Sequence, residues 1–347
     1  DPARIRASGP VRTVTLTCVF TLCALGPSAA QTGQTYTRAD SLRGSLTSPA
    51  RTWWDVTFYD LHVRINPADS TIRGHNTIAY HVVEPAGEMQ IDLQEPLGVD
   101  SVVQGGSSLQ FRRDGNAYFV TPAGTQPTGS IQQLTVYFGG TPHVARRPPW
   151  DGGFTWAADS LGRPWIVTTD EGIGPSIWWP MKDTWADEAD SANVALTLPD
   201  PLVHVGNGRL RSVTPNGDGT TTWEWFASSP INGYAINVNA GHYTHYAEFY
   251  EGERGMLTVD YYPLDYNLEK AKRQFSQVPT MLACFENWFG PYPWYEDGYK
   301  LIEVPYPGME HQSAVTYGNG YANGYGGRDA SGTGLGMEWD FIIIHES

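Results

Sequence analysis

The residues with the most distinctive chemical pattern in this sequence are His345 and Glu346, which follow an apolar run at residues 341–344. An apolar helix ending in His-Glu is typical of the start of an H-E-x-x-H motif, in which two histidines four residues apart bind one metal ion. The glutamate of that motif activates a metal-bound water. The sequence ends at Ser347, so we expect the second histidine beyond it. A histidine after an apolar run is more often a core residue, so other motifs must support the metal interpretation.

Two glutamates are candidates for binding a cationic group. Glu310 lies in the segment Pro-Gly-Met-Glu-His at residues 307–311, directly after a predicted strand at residues 299–304. A carboxylate at a strand edge, partly removed from water, attracts an ammonium group strongly. Glu171 precedes a glycine-rich turn and has the same potential. Taken alone, Glu310 is better interpreted as an exposed charge on a turn, and the alternative for Glu171 is a solvated turn before a core strand.

Other candidates are weaker. His242 and His245 lie three residues apart and could bind a metal, but alternate positions at a strand end are the better interpretation. The tryptophan pairs at residues 53–54 and 178–179 could stack on sugars, although core packing is favoured for them.

Composition excludes some classes of function. The chain has 347 residues and a formal net charge of −15, so it lacks the basic surface of a nucleic-acid-binding protein. Its 13 Trp, 19 Tyr, 38 Gly and 25 Pro favour strands and turns over a helical bundle. The length predicts about two domains.

Residues 1–30 have the pattern of a secretory signal peptide, because arginines precede an apolar stretch at residues 14–25 and small residues follow it. The stretch is too short for a stable membrane span. We therefore expect export to the periplasm or the extracellular space, with a polar linker at residues 31–50. Removal of the signal leaves Cys284 as the remaining cysteine, which predicts no intrachain disulfide.

Residues 51–260 are predicted to form a β-rich domain, a saddle or sandwich of antiparallel strands. Apolar and polar residues alternate in short runs between turn signals, and a change of phase near Tyr59 and Asp60 indicates a β-bulge. Strands are expected near residues 61–65, 78–82, 89–93, 117–121, 134–138, 193–198, 221–226 and 234–240.

Residues 261–347 are predicted to mix helices and strands. Apolar residues recur at helical spacing from Phe275 to Phe289, Pro279 indicates a kink or a late helix start, and Gly290 indicates the helix end. The predicted elements after it are a strand at residues 299–304, a Gly-, Tyr- and Asn-rich loop at residues 317–336 and a helix at residues 337–347.

Taken together, residues 52–347 resemble the aminopeptidase N family of zinc metallopeptidases. Residues 285–294 read Phe-Glu-Asn-Trp-Phe-Gly-Pro-Tyr-Pro-Trp and are similar to the family segment that ends a helix before Pro-Tyr-Pro. Residues 307–311 are similar to its Gly-x-Met-Glu-Asn motif, with proline in place of the first glycine and His311 in place of the asparagine. Residues 179–183, Trp-Pro-Met-Lys-Asp, are similar to its Phe-Pro-Cys-x-Asp segment.

The resemblance implies a mainly β N-terminal domain followed by the start of an α+β, thermolysin-like catalytic domain. It implies that Glu310, in the loop with Gly308 and Met309, holds the free α-amine of a substrate. Glu171 is implied to be a second amine-binding group from the N-terminal domain. The replacement of asparagine by His311 implies an altered contact with the substrate backbone.

The resemblance also implies that His345 is the first ligand of one zinc ion and that Glu346 is the general base. His345 lies 35 residues after Glu310, which is compatible with the family spacing. The second histidine, a later glutamate ligand and a tyrosine that stabilises the oxyanion are expected beyond Ser347. The sequence is thus interpreted as an N-terminal part of the protein that ends inside the zinc motif.

The expected function of the whole protein is zinc-dependent release of N-terminal residues from peptides with a free N-terminus. The 347-residue chain alone is expected to be inactive and to hold zinc only weakly, because a catalytic zinc needs three protein ligands. Two alternatives remain. One is a non-catalytic, exported β-sandwich binding protein with a degenerate peptidase site, and the other is an exported carbohydrate-binding β-sandwich.

Overall fold

A computed structural model describes residues 38–43 and 48–347 of the chain. Its helices are α1 (Arg38–Arg43), α2 (Leu268–Gln274), α3 (Val278–Phe289) and α4 (Phe341–His345). Its strands are β1 (Trp54–Asn66), β2 (Thr71–Val82), β3 (Met89–Asp92), β4 (Gly98–Gln104), β5 (Ser107–Ser108), β6 (Phe111–Asp114), β7 (Ala117–Val120), β8 (Ile131–Gly140), β9 (Gly153–Ala158), β10 (Pro164–Thr169), β11 (Ser191–Pro199), β12 (Val203–His204), β13 (Arg209–Pro215), β14 (Thr220–Ala227), β15 (Asn239–Gly241), β16 (Tyr246–Gly252), β17 (Gly255–Tyr262), β18 (Tyr299–Glu303), β19 (Gly308–Met309) and β20 (Val315–Tyr317).

The largest sheet has eight strands in the order β13-β14-β11-β1-β2-β8-β4-β5. Its pairs are antiparallel except β1 with β11, which is parallel. Buried residues alternate with exposed ones along β1 and β2, as expected for strands with one face on the core. The predicted bulge in β1 exists, but it lies between Val56 and Phe58 rather than at Tyr59 and Asp60. The mainly β prediction is confirmed.

A four-stranded sheet (β12-β15-β10-β9) and a three-stranded sheet (β3-β7-β6) pack with the large sheet around one apolar core. That core contains Trp53, Trp54, Trp178 and Trp179, each at most 2% exposed. Because their faces are covered, these tryptophans cannot be sugar-stacking platforms, and the core-packing interpretation is correct.

The second part of the chain forms a five-stranded sheet with the order β16-β17-β18-β20-β19. Its apolar face packs against α2, α3 and α4 in a separate core that includes Phe275, Met281, Leu301 and Ile343. β17 pairs in parallel with β18, so the predicted boundary at residue 260 falls inside a strand of this sheet. Hydrogen bonding therefore places residues 246–262 with the second part of the chain.

Two helices are shorter than predicted. α3 begins at Val278 with Pro279 in its first turn, where the missing proline N–H costs nothing, and it ends at Gly290, whose φ is 92°. The predicted helix at residues 337–347 is restricted to α4, because Asp340 caps its N-terminus and residues 337–339 belong to the preceding loop.

The predicted strand at residues 234–240 is wrong for most of its length. Residues Gly233–Ala235 form a 3-10 helix whose first N–H groups are capped by Asn232, and only residues from Asn239 belong to a strand. The alternating apolar side chains of this segment pack in a compact turn rather than in a strand.

The predicted signal peptide and most of the predicted linker lie outside the described residues. Within the described ranges, no helix is long and apolar enough to span a membrane. Cys284 is exposed and unpaired on α3.

Candidate active site

The site residues predicted from separate motifs line one cleft of about 390 Å³. The cleft lies between the β-rich part and the five-stranded sheet. Its lining residues are Trp150, Glu171, Pro307, Gly308, Met309, Glu310, Tyr325, Phe341, Ile342, His345 and Glu346. The structure therefore brings all six predicted site residues together, although they come from positions as far apart as 171 and 346.

Glu310 follows β19, the strand at the edge of its sheet, and its carboxylate is exposed to the cleft. The phenol of Tyr234 donates a hydrogen bond to Oε1 of Glu310 at 3.0 Å. An edge position leaves the side chain accessible, while the tyrosine fixes one of its two oxygens.

Gly308 allows the edge strand to lie directly against α4. A Cβ atom at this position would be 2.7 Å from Cγ2 of Ile342 and 2.8 Å from Cγ of Glu346. Both distances are too short for carbon atoms, so a larger residue would push α4 away from β19. Glycine therefore sets the distance between the amine-binding candidate and the general-base candidate.

Glu346 is 8% exposed and lies beside other carboxylates. Burial raises the pKa of Glu346 to about 8, and repulsion by Glu310 and Glu171 adds to the effect. Burial and the charge of Glu310 also raise the pKa of Glu171. No lysine or arginine is among the described residues that line the cleft. A cation that enters the cleft would relieve this repulsion, so the arrangement favours a positively charged ligand.

His345 is the last residue of α4, and its exposed ring stacks on Phe341 at 4.9 Å. An exposed imidazole on the cleft wall is a suitable metal ligand. No group of three or more His, Cys, Asp or Glu side chains that could hold a metal occurs within residues 38–43 and 48–347. His345 therefore offers one ligand, and the described residues do not complete a zinc site.

Asp340 orients α4 and with it both motif residues. Its Oδ1 accepts hydrogen bonds from Ile342 N at 3.0 Å and from the amide of Asn319 at 2.8 Å. Its Oδ2 accepts from Tyr317 Oη at 2.7 Å and from Gln274 Nε2 at 2.8 Å. The carboxylate is fully buried, so it caps the helix and ties it to β20 and α2.

We expect Asp340→Ala to destabilise the fold by about 3 kcal/mol, because it removes a helix cap and leaves buried donors without an acceptor. Urea denaturation followed by tryptophan fluorescence measures this loss. Asp329→Ala is the matched control, since Asp329 only caps an exposed turn in the same loop. An equal loss of stability in both variants would contradict a special role for Asp340.

Comparison with known proteins shows which sequences and structures this chain resembles. No family model matches the chain. The chain is 26% identical over 261 residues to Leucine aminopeptidase 2 of Vanderwaltozyma polyspora, a match that covers 72% of this chain and 38% of that protein. The chain therefore spans well under half the length of this curated relative.

Solved structures agree with the sequence relative. The M1 zinc metallopeptidase from Deinococcus radiodurans superposes with a TM-score of 0.66 at 20% identity, covering 76% of this chain and 60% of that one. This chain has the fold of the M1 zinc metallopeptidases. Leukotriene A4 hydrolase from Saccharomyces cerevisiae superposes with a TM-score of 0.60 at 18% identity, over 82% of this chain and 45% of that one. The predicted resemblance is confirmed.

Within this M1 fold, His311 departs from the asparagine of the family motif and lies away from the cleft. It is fully buried, and its Nδ1 lies 2.6 Å from the side-chain amide of Asn237. Burial lowers the pKa of His311 to about 3, so the ring is neutral. His311 therefore supports the loop from inside rather than facing a substrate.

The M1 fold leaves the other sequence candidates outside the site. His245 lies 2.7 Å from Asp260 on the outer face of the five-stranded sheet, and His242 does not line the cleft.

Two residues near the cleft were not predicted from the sequence. Trp150 lines the cleft and is 59% exposed, and Tyr234 lies beneath the cleft. Trp150 was not identified because an isolated tryptophan after two prolines carries no spacing signal.

Proposed function

We propose that this chain is the substrate-amine-recognising part of a zinc-dependent aminopeptidase. One observation carries the proposal: Glu171, Glu310 and Glu346 line the same cleft as His345, in an M1 metallopeptidase fold. Three carboxylates without a basic partner in the described cleft suit a substrate that brings its own positive charge. A peptide with a free N-terminus has that charge.

Each residue then has a chemical role. Glu310 and Glu171 bind the α-ammonium group and so fix the first peptide bond of the substrate next to α4. Glu346 takes the proton of the attacking water and gives it to the departing amine. Zinc, when bound by His345 and by ligands from elsewhere in the whole protein, supplies polarisation of that water and of the scissile carbonyl.

The complete gene product tests the proposal. It should hydrolyse an alanine or leucine p-nitroanilide with a free amine, and N-acetylation of the same substrate should abolish hydrolysis, because an amide cannot pair with the carboxylates. Equal hydrolysis of free and acetylated substrates would refute the aminopeptidase proposal. No hydrolysis of either one would favour the non-catalytic alternative, which no comparison supports.

The 347-residue chain by itself should lose zinc on dialysis against a chelator, since one histidine and a base are too few ligands for tight binding. Metal analysis of the dialysed chain gives the result directly. Retention of one zinc per chain would show that other residues of this sequence complete the site.

We also propose that the protein is exported to the periplasm or the extracellular space. The support is the pattern of residues 1–30, with arginines, an apolar stretch and small residues in that order. Fractionation of cells that produce the complete gene product, with N-terminal sequencing of the mature protein, would test this.

A further inference from the structure

We infer that Tyr234 is a positioning residue that holds Glu310 in the orientation needed to bind a substrate amine. The inference rests on the proposed aminopeptidase function and adds a residue to it. The direct observation is the hydrogen bond from the Tyr234 phenol to Oε1 of Glu310 at 3.0 Å.

Tyr234 is held rigidly although it lies next to an open cleft. It is 8% exposed, and its backbone N–H is capped by Oδ1 of Asn232 at 3.0 Å within the 3-10 helix Gly233–Ala235. Its ring packs on Trp185 at 5.2 Å and on His311 at 5.7 Å. Because these contacts fix the ring, the Tyr234 hydroxyl donates its hydrogen bond in one direction.

The loop that carries Glu310 is joined to the same segment by further hydrogen bonds. Gln312 Nε2 donates to Pro230 O at 2.9 Å, and Asn237 contacts His311 at 2.6 Å. Asn207 Nδ2 donates both to Gln312 O at 2.7 Å and to Ala235 O at 2.8 Å. The loop at residues 311–312 is therefore joined to residues 207–237, while Tyr234 holds the side chain of Glu310.

Glu310 has a second partner besides Tyr234. Its carboxylate also shares a hydrogen bond with the carboxyl group of Glu346. A Glu310 side chain that loses the Tyr234 phenol keeps this second contact, which draws it toward Glu346 and away from the amine. The Tyr234 phenol donates to Oε1 and so holds the Glu310 carboxylate in one orientation.

The test is Tyr234→Phe in the complete gene product, with Tyr80→Phe as the matched control. Tyr80 also donates a buried hydrogen bond, to Gln126 Oε1 at 2.8 Å, but it lies in the core of the β-rich part. For Tyr234→Phe we expect KM for a free-amine peptide to rise about tenfold, with kcat changed less than about threefold. Tyr80→Phe should leave KM unchanged.

A pair of inhibitors separates positioning from general loosening of the fold. An amino-acid hydroxamate with a free amine should bind Tyr234→Phe about tenfold more weakly, while its N-acetylated form should bind the variant and the unchanged protein equally. Equal weakening of both inhibitors, or unchanged binding of both by a folded variant, would overturn the inference. If the unchanged protein does not discriminate between the two inhibitors, the proposed aminopeptidase function itself fails, and that failure is visible before any variant is made.

Discussion

Glu346→Gln in the complete gene product should lower kcat by about 10²- to 10⁴-fold while zinc content stays unchanged. The reason is chemical: glutamine has nearly the same shape as glutamate but cannot accept the proton of the attacking water. KM should change little, because the α-ammonium group is bound by Glu310 and Glu171. Steady-state kinetics and metal analysis on one preparation measure both parts of the prediction.

The variant should also fold at least as stably as the unchanged protein. Glu346 is 8% exposed among other carboxylates, so its charge opposes folding, and a neutral amide removes that cost. Glu338→Gln is the matched control, since Glu338 is an exposed carboxylate two residues before the helix cap. A Glu346→Gln protein that keeps full kcat, or that loses zinc together with kcat, would contradict a role as general base.

The candidate site residues could be selected from the sequence because each of them belongs to a short motif with its own physical pattern. His345 and Glu346 follow an apolar run, and Glu310 follows a buried strand. What sequence could not provide is their convergence: Glu171 comes from the β-rich part and lies more than a hundred residues before Glu310. A shared core of residues 167, 234, 304, 306 and 309 joins the segment before Glu171 to the segment of Glu310, and the close contact at Gly308 brings α4 against β19.

Two predicted elements differ from the structure for local reasons. The strand predicted at residues 234–240 was based on apolar alternation, but the Asn232 side chain caps Tyr234 and turns the chain into a 3-10 helix. That turn is what places the Tyr234 phenol against Glu310. The helix predicted from residue 337 starts at Phe341 because Asp340 is its cap, and aspartate is a common residue at the start of a helix.

Glu310→Gln should lower kcat/KM for a free-amine peptide by about 10²-fold or more, mainly through KM, because it replaces a charged partner of the ammonium group with a neutral one. Glu171→Gln should have a smaller effect. Glu171 lies in an exposed turn, whereas Glu310 is fixed by Tyr234 and adjoins the strand next to α4. A weakly held side chain loses more entropy when it binds a ligand.

The double variant shows whether the two carboxylates share one ammonium group. If they do, each substitution changes the charge that the other experiences, and the two losses in free energy should not add. If Glu171 instead contacts another part of the substrate, the losses should be additive within about 0.5 kcal/mol. Burial raises the pKa of Glu171, and the charge of Glu310 adds to the effect, so the two carboxylates are close enough to share one ligand. A larger loss of kcat/KM from Glu171→Gln than from Glu310→Gln would reverse the proposed roles and make the β-rich part the principal amine-binding side of the cleft.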